Sequence, residues 1–393
     1  MVMARYLPPI MDDFEWKKQA LLLFVCLDQS SPPLMDIHKA FHMKGGVGDN
    51  SYSKNSSLQK RVADKVKHVT TEAIQQVFIT KKPKSLGIAD LGCASGPNAL
   101  SIIKQVVEAV ESASRAIQQP PPEFRIYLND LHTNDFNTIF QGLPDLYKEL
   151  NRGTKQQPPL YIAACPGTFY GRLFPERSLH FVYSSNSLHW LSMVPRGIYD
   201  GEGRSMNGKS IYISERSPPA VRRAYLEQFQ EDFSLFLKSR SRELIHGGRM
   251  VLVMLGRTAS DHTHCANLFL WELLYQSLAH LVAQGEVEEE KLESYDVHFY
   301  APSKEELEDE VRKEGSFRTE MVEVFEMERA DMSGSYGTAV AKAVRCIQES
   351  MLAHHFGEGI LDKLFHHYAA LIDQESAKCD VRSTTAVLLL TKL

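Results

Sequence analysis

The chain reads as an α/β protein, a mainly parallel sheet with helices on both faces, carrying a helical cap. Three observations predict this. Short apolar stretches such as IADL, FRIYL, YIAAC and RMVLVML alternate with helix-patterned segments, as strand–helix–strand units require. The stretch IADLGCASGPNAL, from Ile88 to Leu100, passes from an apolar strand through a glycine-spaced turn into a helix. Beyond Ala266 the alternation gives way to successive helices.

A length of 393 residues allows one large domain or two. A hydrophobic fraction of 43% and a charged fraction of 24% are those of an ordinary globular protein, and a formal net charge of −5 offers nucleic acid no footing. The six cysteines form no C-x-x-C pair, so neither a zinc site nor a disulfide framework is expected, and a reducing compartment, by default the cytoplasm, fits best. The apolar run from Ala20 to Leu27 is too short to span a bilayer, and Asp12, Asp13 and Glu15 precede it, so neither a membrane segment nor a signal peptide is expected.

The elements follow in order. Residues 1–35 read as an N-terminal extension closed by SSPP. Leu58, Val62, Val66, Val69 and Ile74 recur at helical spacing and predict one helix from Ser57 to Phe78. After the IADL strand, a helix covers Ser101 to Ile117 and breaks at QQPPPE. FRIYL ends in Asn129-Asp130, YIAAC ends at PGTF, and LHFVYSS is the next strand. A long amphipathic helix runs from Pro219 to Ile245; His246-Gly247-Gly248 closes it before the strand RMVLVML. A strand at Thr319 to Phe325, helices over roughly 336–375 and a closing strand in STTAVLLLTKL complete the pattern. The core is expected mainly in 36–260, together with an N-terminal cap segment. The helical cap and ligand pocket are expected mainly in 261–380, and 381–393 returns to the core. The cap should come from the N-terminal segment and from insertions after the fourth and fifth strands.

Asp90 falls at the carboxyl end of a strand, where open α/β sheets bind ligands. Gly92 and Gly96 are expected to clear the turn for a ligand's approach. The pattern D-x-G-x-x-x-G lacks the second glycine of a dinucleotide fingerprint, which disfavours an NAD-dependent oxidoreductase. A carboxylate beside the turn repels a pyrophosphate and attracts a cation. The sulfonium and ammonium groups of S-adenosylmethionine meet that condition; a plain strand-to-helix turn with a capping Asp is the alternative. Asp130, ending the next strand, is placed to accept hydrogen bonds from ribose hydroxyls. Thr168 and Phe169 offer a hydroxyl and an aromatic face to adenine, unless Phe169 belongs to the core.

Seven segments together resemble the plant SABATH methyltransferases: FHMKGGVGDNSYSKNSSLQK, IADLGCASGPN, YLNDLHTNDFNTIF, CPGTFYGRLFP, SSNSLHWLS, GGRMVLVMLGR and HFGE, within Phe41 to Leu393. The resemblance implies a Rossmann-like class I S-adenosylmethionine-dependent methyltransferase core with a helical cap. It implies methyl esters of small hydrophobic carboxylic acids, benzoate or salicylate first and jasmonate close behind. A xanthine-type N-methyltransferase and a non-catalytic binding protein are the alternatives. By position, the cofactor set would be Tyr52, Ser56, Asp90, Asn98, Asp130, Leu131, Thr168 and Phe169, with Lys44 nearby; Thr168 stands where the family usually has Ser.

Gln59 and Trp190 would grip the substrate carboxylate, although Gln59 alone reads as a solvated helix position and Trp190 as core. Asn186, His189, Leu270, Trp271, Val344 and Ile347 would line the substrate pocket, with Ser383 where an aromatic residue is common. Asn186 replaces the Tyr of salicylate enzymes and His189 their Met, which implies a roomier pocket. His189 is expected to donate a hydrogen bond or to pack. No catalytic base is required, because a carboxylate is already ionised at neutral pH. Some relatives hold a divalent metal; the matching positions here are Asn207, Glu293 and Asp296, two motif residues differ, and magnesium is not expected. Relatives commonly form homodimers, but the sequence itself carries no interface signal.

Overall fold

The computed structural model describes residues 41–150, 158–258, 266–329, 335–378 and 382–393; the expected extension at 1–35 lies outside the described residues. Its strands are β1 (Ser85–Leu91), β2 (Glu123–Asp130), β3 (Leu160–Pro166), β4 (Leu179–Ser185), β5 (Leu244–Leu255), β6 (Phe317–Glu326) and β7 (Thr384–Lys392). They form one seven-stranded sheet in the order β3-β2-β1-β4-β5-β7-β6. β1 to β5 pair in parallel, and β7 runs antiparallel between β5 and β6. The chain enters at the centre, steps outward through β2 and β3, then returns to the other side of β1 as β4. Strand order therefore reverses between β1 and β4, and their carboxyl ends open a crevice there.

β1 is buried on both faces, which is why it reads as a continuous apolar run. The helix expected from Ser57 to Phe78 is two helices, α1 (Ser57–Lys65) and α2 (Lys67–Lys81). Val66 leaves helical geometry between them, at φ −93° and ψ 7°. Val62, Val66 and Val69 are all buried, so the apolar stripe continues across the break and conceals it. α3 (Pro97–Ala116) starts earlier than expected, with Pro97 in the first turn, where its missing N–H costs nothing.

His246-Gly247-Gly248 does not separate helix from strand. α4 (Pro219–Glu243) runs straight into β5 at Leu244, and the glycines lie within the strand. Gly247 adopts φ 74° where the β4–β5 register shifts, so the pair marks a bulge.

Beyond β5 come α5 (Ala266–Ala283) and α6 (Lys304–Glu314), then, between β6 and β7, α7 (Tyr336–Phe356) and α8 (Leu361–Ser376). The second helical insertion thus follows the sixth strand, not the fourth; residues 186–218 after β4 hold only a short 3-10 turn at Arg196–Ile198. β6 and β7 are antiparallel neighbours, so their connection has no sheet face to cross and is free to fold as a helical pair beside the crevice. Among the described residues, no helix is long and apolar enough to cross a membrane.

α4 holds the loops of the crevice in place. Tyr225, Phe229, Asp232, Phe233, Phe236, Arg240 and Glu243 are buried at helical spacing along one face. Arg240 and Glu243 are both 0% exposed and pair at 2.7 Å. Arg240 also donates from Nη1 to the Phe169 carbonyl (3.0 Å) and from Nη2 to the Gly171 carbonyl (2.8 Å). Glu243 Oε1 accepts the Leu173 and Phe174 N–H groups at 2.6 and 3.0 Å. Two desolvated charges are thus satisfied by each other and by the loop that follows β3. Replacing Arg240 with Met should strand the Glu243 carboxylate and cost about 3–5 kcal/mol. The double variant R240M/E243L should recover part of that loss. Urea unfolding of both reads it, and an R240M midpoint equal to wild type overturns the assignment.

Candidate active site

The turn after β1 is stitched to the end of β2. The Asn129 carbonyl accepts both the Gly92 and the Cys93 N–H at 2.9 Å. Asp130 Oδ2 accepts the Ala94 N–H and Oδ1 the Leu131 N–H, each at 2.8 Å. Asn134 Nδ2 donates to the Ala94 carbonyl (2.9 Å), holding Ala94 at φ 53°, a conformation uncommon for a residue with a side chain. The two glycines make room for the protein's own segments, and Gly92 also lines the cavity described below. Gly92 has φ 76°, and a Cβ there would lie 2.1 Å from Ser187 Oγ on the loop after β4. Gly96 has φ 140°, and a Cβ would lie 2.9 Å from Ser53 Cα. They let neighbouring segments of the protein close against the turn.

Asp90 is buried and Asp130, at the cavity's edge, is half-buried. Burial, and then the Asp130 charge, raise Asp90 to about 7; burial raises Asp130 to about 6 against the pull of its two N–H donors. The Asp90 carboxylate accepts no hydrogen bond from a described residue. Asp130 uses two of a carboxylate's roughly four acceptor sites and keeps the rest.

A cavity of about 190 Å³ opens at this point. Of the residues singled out in the sequence, Tyr52, Gln59, Asp130, Leu131, Thr168, Phe169, Asn186, His189, Trp190, Leu270, Trp271, Val344 and Ile347 line it. Asp90, Ser56, Asn98 and Lys44 do not. Asp90 sits close enough to Asp130 to feel its charge. Asn98 Nδ2 donates to Ser56 Oγ (3.1 Å) and its carbonyl (3.3 Å), which ties the start of α3 to the segment before α1. Lys44 pairs with Glu349 on α7 at 2.7 Å, and its N–H donates to the Cys346 carbonyl, so this segment is anchored to the cap.

The aromatic wall is held edge-on. Trp190 meets Phe41 at 5.2 Å and 80°, Phe299 at 5.6 Å and Trp271 at 6.3 Å, while the Tyr170 hydroxyl donates to the Trp190 carbonyl. Ser192, just beyond, is fixed through its N–H and hydroxyl to Asp232 on α4 at 2.8 and 2.6 Å. The Leu255 N–H donates to His189 Nδ1 at 3.1 Å, and burial lowers that imidazole to about 3. Gln59 Oε1 is buried and unpartnered. Asn186 follows β4 at φ 56°, a conformation Asn tolerates, with Nδ2 on Ser185 Oγ at 3.0 Å.

Several lining residues escaped the sequence reading. Phe41, Tyr170, Phe299 and Gln348 contribute to the wall. Gln348 is 1% exposed; its Oε1 accepts from the Tyr295 hydroxyl (3.2 Å), and its Nε2 is unpartnered. Its position one residue past Ile347 on α7 is the signal that was available. Of the three metal-candidate residues, Asn207 and Asp296 are buried and Glu293 is exposed. The Asn207 amide is spent on the Ser210 and Tyr212 carbonyls and the Ser217 hydroxyl. No group of three or more His, Cys, Asp or Glu side chains suited to a metal occurs among the described residues.

A pair of acids, one buried and one half-buried, with spare acceptor capacity beside an apolar wall, fits a cationic cofactor that also carries hydroxyls. A family model described as SAM dependent carboxyl methyltransferase matches residues 38–393. The chain is 42% identical over 375 residues to Probable jasmonic acid carboxyl methyltransferase 1 of Theobroma cacao, covering 91% of this chain and 100% of that protein. It is 40% identical over 369 residues to Jasmonate O-methyltransferase of Arabidopsis thaliana, covering 86% and 95%. It is 39% identical over 363 residues to a 3,7-dimethylxanthine N-methyltransferase of Camellia sinensis var. assamica, covering 91% and 97%. A solved structure described as loganic acid methyltransferase with SAH matches at TM-score 0.79 and 34% identity, covering 89% of this chain and 98% of that one. The sheet is thus that of a class I methyltransferase, and the chain belongs to the S-adenosylmethionine-dependent carboxyl methyltransferases, the SABATH family.

Proposed function

We propose that the chain forms the methyl ester of a small hydrophobic carboxylic acid, held with its carboxylate at Trp190 and Gln59. The observation that carries this reading is the bond from the Leu255 N–H to His189 Nδ1. A nitrogen that accepts this bond carries no proton, so the neutral ring holds its proton on Nε2. The imidazole beside Trp190 is a donor. A carboxylate arrives ionised and needs donors to fix it, not a base. A xanthine N–H needs its proton shared or removed, and this imidazole does not supply that.

S-adenosylmethionine, when bound, supplies a methyl group on a cationic sulfur. The protein's part is positioning. The Trp190 indole is braced by four rings, those of Phe41, His189, Trp271 and Phe299, and offers its N–H. The Gln59 amide has an unmet polar atom and turns its NH₂ to the second oxygen, since partners decide which end faces where. Asp130 has capacity for the ribose hydroxyls, and Asp90 answers positive charge. Fixing two reactants in attack geometry can supply roughly 7–11 kcal/mol. Carboxylate and sulfonium charges cancel as they react, and the Phe41, Trp271 and Phe299 wall excludes the water that would hold them apart.

Among acids, the jasmonate type moves ahead of benzoate and salicylate. The similar proteins named for jasmonate support this order, as does Asn186 in place of a bulkier side chain. Labelled S-adenosylmethionine with benzoate, salicylate, jasmonate, indole acetate and methylxanthines tests the reading. Esters are expected; transfer to xanthines alone overturns it. Trp190→Phe should lose at least about tenfold in kcat/KM on acids, the value of one charge-assisted hydrogen bond, while cofactor affinity holds. Unchanged turnover removes Trp190 from the carboxylate grip.

A pH dependence follows from the two acids. Their folded values, about 7 and about 6, lie above the ordinary range near 4. The folded chain therefore binds these protons more tightly, and the pair's contribution to stability falls as pH rises from about 4 to about 7. A cation is attracted only to the ionised forms. S-adenosylmethionine should bind progressively more weakly as pH drops through the range from about 7 to about 6, releasing protons on binding there. Calorimetry in two buffers of different ionisation enthalpy measures the release; flat affinity with no release excludes the acids from the site.

A further inference from the structure

A second cavity, of about 170 Å³, adjoins the first. Gln59, Asn186, Leu255, Leu270, Val344 and Ile347 line both, so the two spaces share one partition of side chains. Beyond it the wall is apolar, with Phe269, Tyr336, Val340 and Ala343. The far rim is polar, with Arg61, Glu328 and Arg329 exposed or half-buried. That rim is ordered by its own contacts. Arg329 lies 3.9 Å over the Tyr336 ring and donates to the Ser376 carbonyl and hydroxyl, and Arg61 donates to the Glu328 carbonyl at 3.2 Å. Ser383 and Ala343 are small where either, enlarged, would fill the space.

We propose that the second cavity is a subsite for the far end of an elongated carboxylic acid. The carboxylate sits at Trp190, an apolar middle passes Asn186 and Ile347, and a tail lies against Val340 and Ala343 with its tip toward the polar rim. This rests on the esterification reading of the first cavity. Two features carry it. The shared partition includes Gln59, so a ligand gripped there is already at the neck. The lining changes from apolar to polar in the outward direction, as a chain with a buried middle and a wetted end requires. Rings that end at Asn186 leave the second cavity unused; longer acids fill it.

Straight-chain acids from butanoate to dodecanoate, with benzoate as the short reference, test the proposal. Each methylene that enters an apolar cavity favours binding by roughly fourfold. In the wild type, kcat/KM should climb with length once the chain passes the neck, mainly through KM. Phe269→Trp, at a residue that lines only the second cavity, should remove the climb, cutting the longest acids at least tenfold while benzoate stays within about twofold. Ala343→Leu, on a different element, should do the same and guards against a misfolded first variant. A climb that survives both variants overturns the subsite, as does an equal loss for benzoate and dodecanoate. If no acid is turned over, the esterification reading fails instead. The subsite is then judged by thermal stabilisation of the protein in the presence of S-adenosylhomocysteine. Dodecanoate stabilising no more than butanoate rejects it.

Discussion

The buried face of α4 is the constraint on which the rest of the site depends. The Arg240–Glu243 pair fixes the loop carrying Thr168 and Phe169, and Asp232 fixes the loop that follows Trp190. Higher on the same face, the Tyr225 hydroxyl donates to the Val297 carbonyl, two residues before Phe299. One rigid helix therefore sets the relative positions of the aromatic shelf proposed for adenine, the proposed carboxylate grip and the back wall. Loops alone would not hold these parts to the sub-ångström tolerance that positioning catalysis needs. The desolvation of three charged side chains is tolerated because each is saturated with donors or acceptors from the loop it holds.

The charges around the cavity share one tendency. Burial raises Asp90, Asp130 and Asp232, and lowers His189 and His298. Every one of these groups is moved toward its neutral form. Such a site is costly for any isolated ion and least costly for two opposite ions that annihilate each other's charge. The environment that destabilises the free acids is therefore the environment in which methyl transfer between a carboxylate and a sulfonium gains most.

Much of this was legible in the sequence. Strands buried on both faces announce themselves as apolar runs, and acids at their carboxyl ends point to the switch between β1 and β4, so Asp90 and Asp130 stood out. Their coupling follows from β1 and β2 lying side by side, with Asp90 opposite Leu128, two residues before Asp130. Arg240 and Glu243 did not stand out, because a charged residue on an amphipathic helix reads as solvated until the loop packed over it is known. Val66 was hidden by its own burial, which kept the apolar stripe unbroken across two helices. Gly92 and Gly96 were noticed as room for a ligand, but the second demand on them was not legible, because the segments that close on them carry Ser187 and Ser53, far away in the chain. The α7–α8 pair was read as helical, yet its point of insertion depends on β6 lying beside β7, a pairing that no local pattern encodes.

Relatives with the same scaffold are named for acids and for xanthines, so the fold does not choose the acceptor atom. The choice must lie in groups within reach of the methyl acceptor. In this chain the imidazole of His189, beside Trp190, has its tautomer set by a backbone amide at Leu255, in β5, rather than by a side chain. A neighbouring substitution cannot readily reverse that polarity, since the amide N–H is part of the scaffold. A base at this position would require replacing the imidazole or moving the end of β5. The partition formed by Gln59, Asn186 and Ile347 is different: it is built of side chains alone and borders open space on both sides. On the proposed reading, the identity of the acceptor atom is anchored in the sheet, whereas the length and shape of the acid are left to residues that can change without disturbing it.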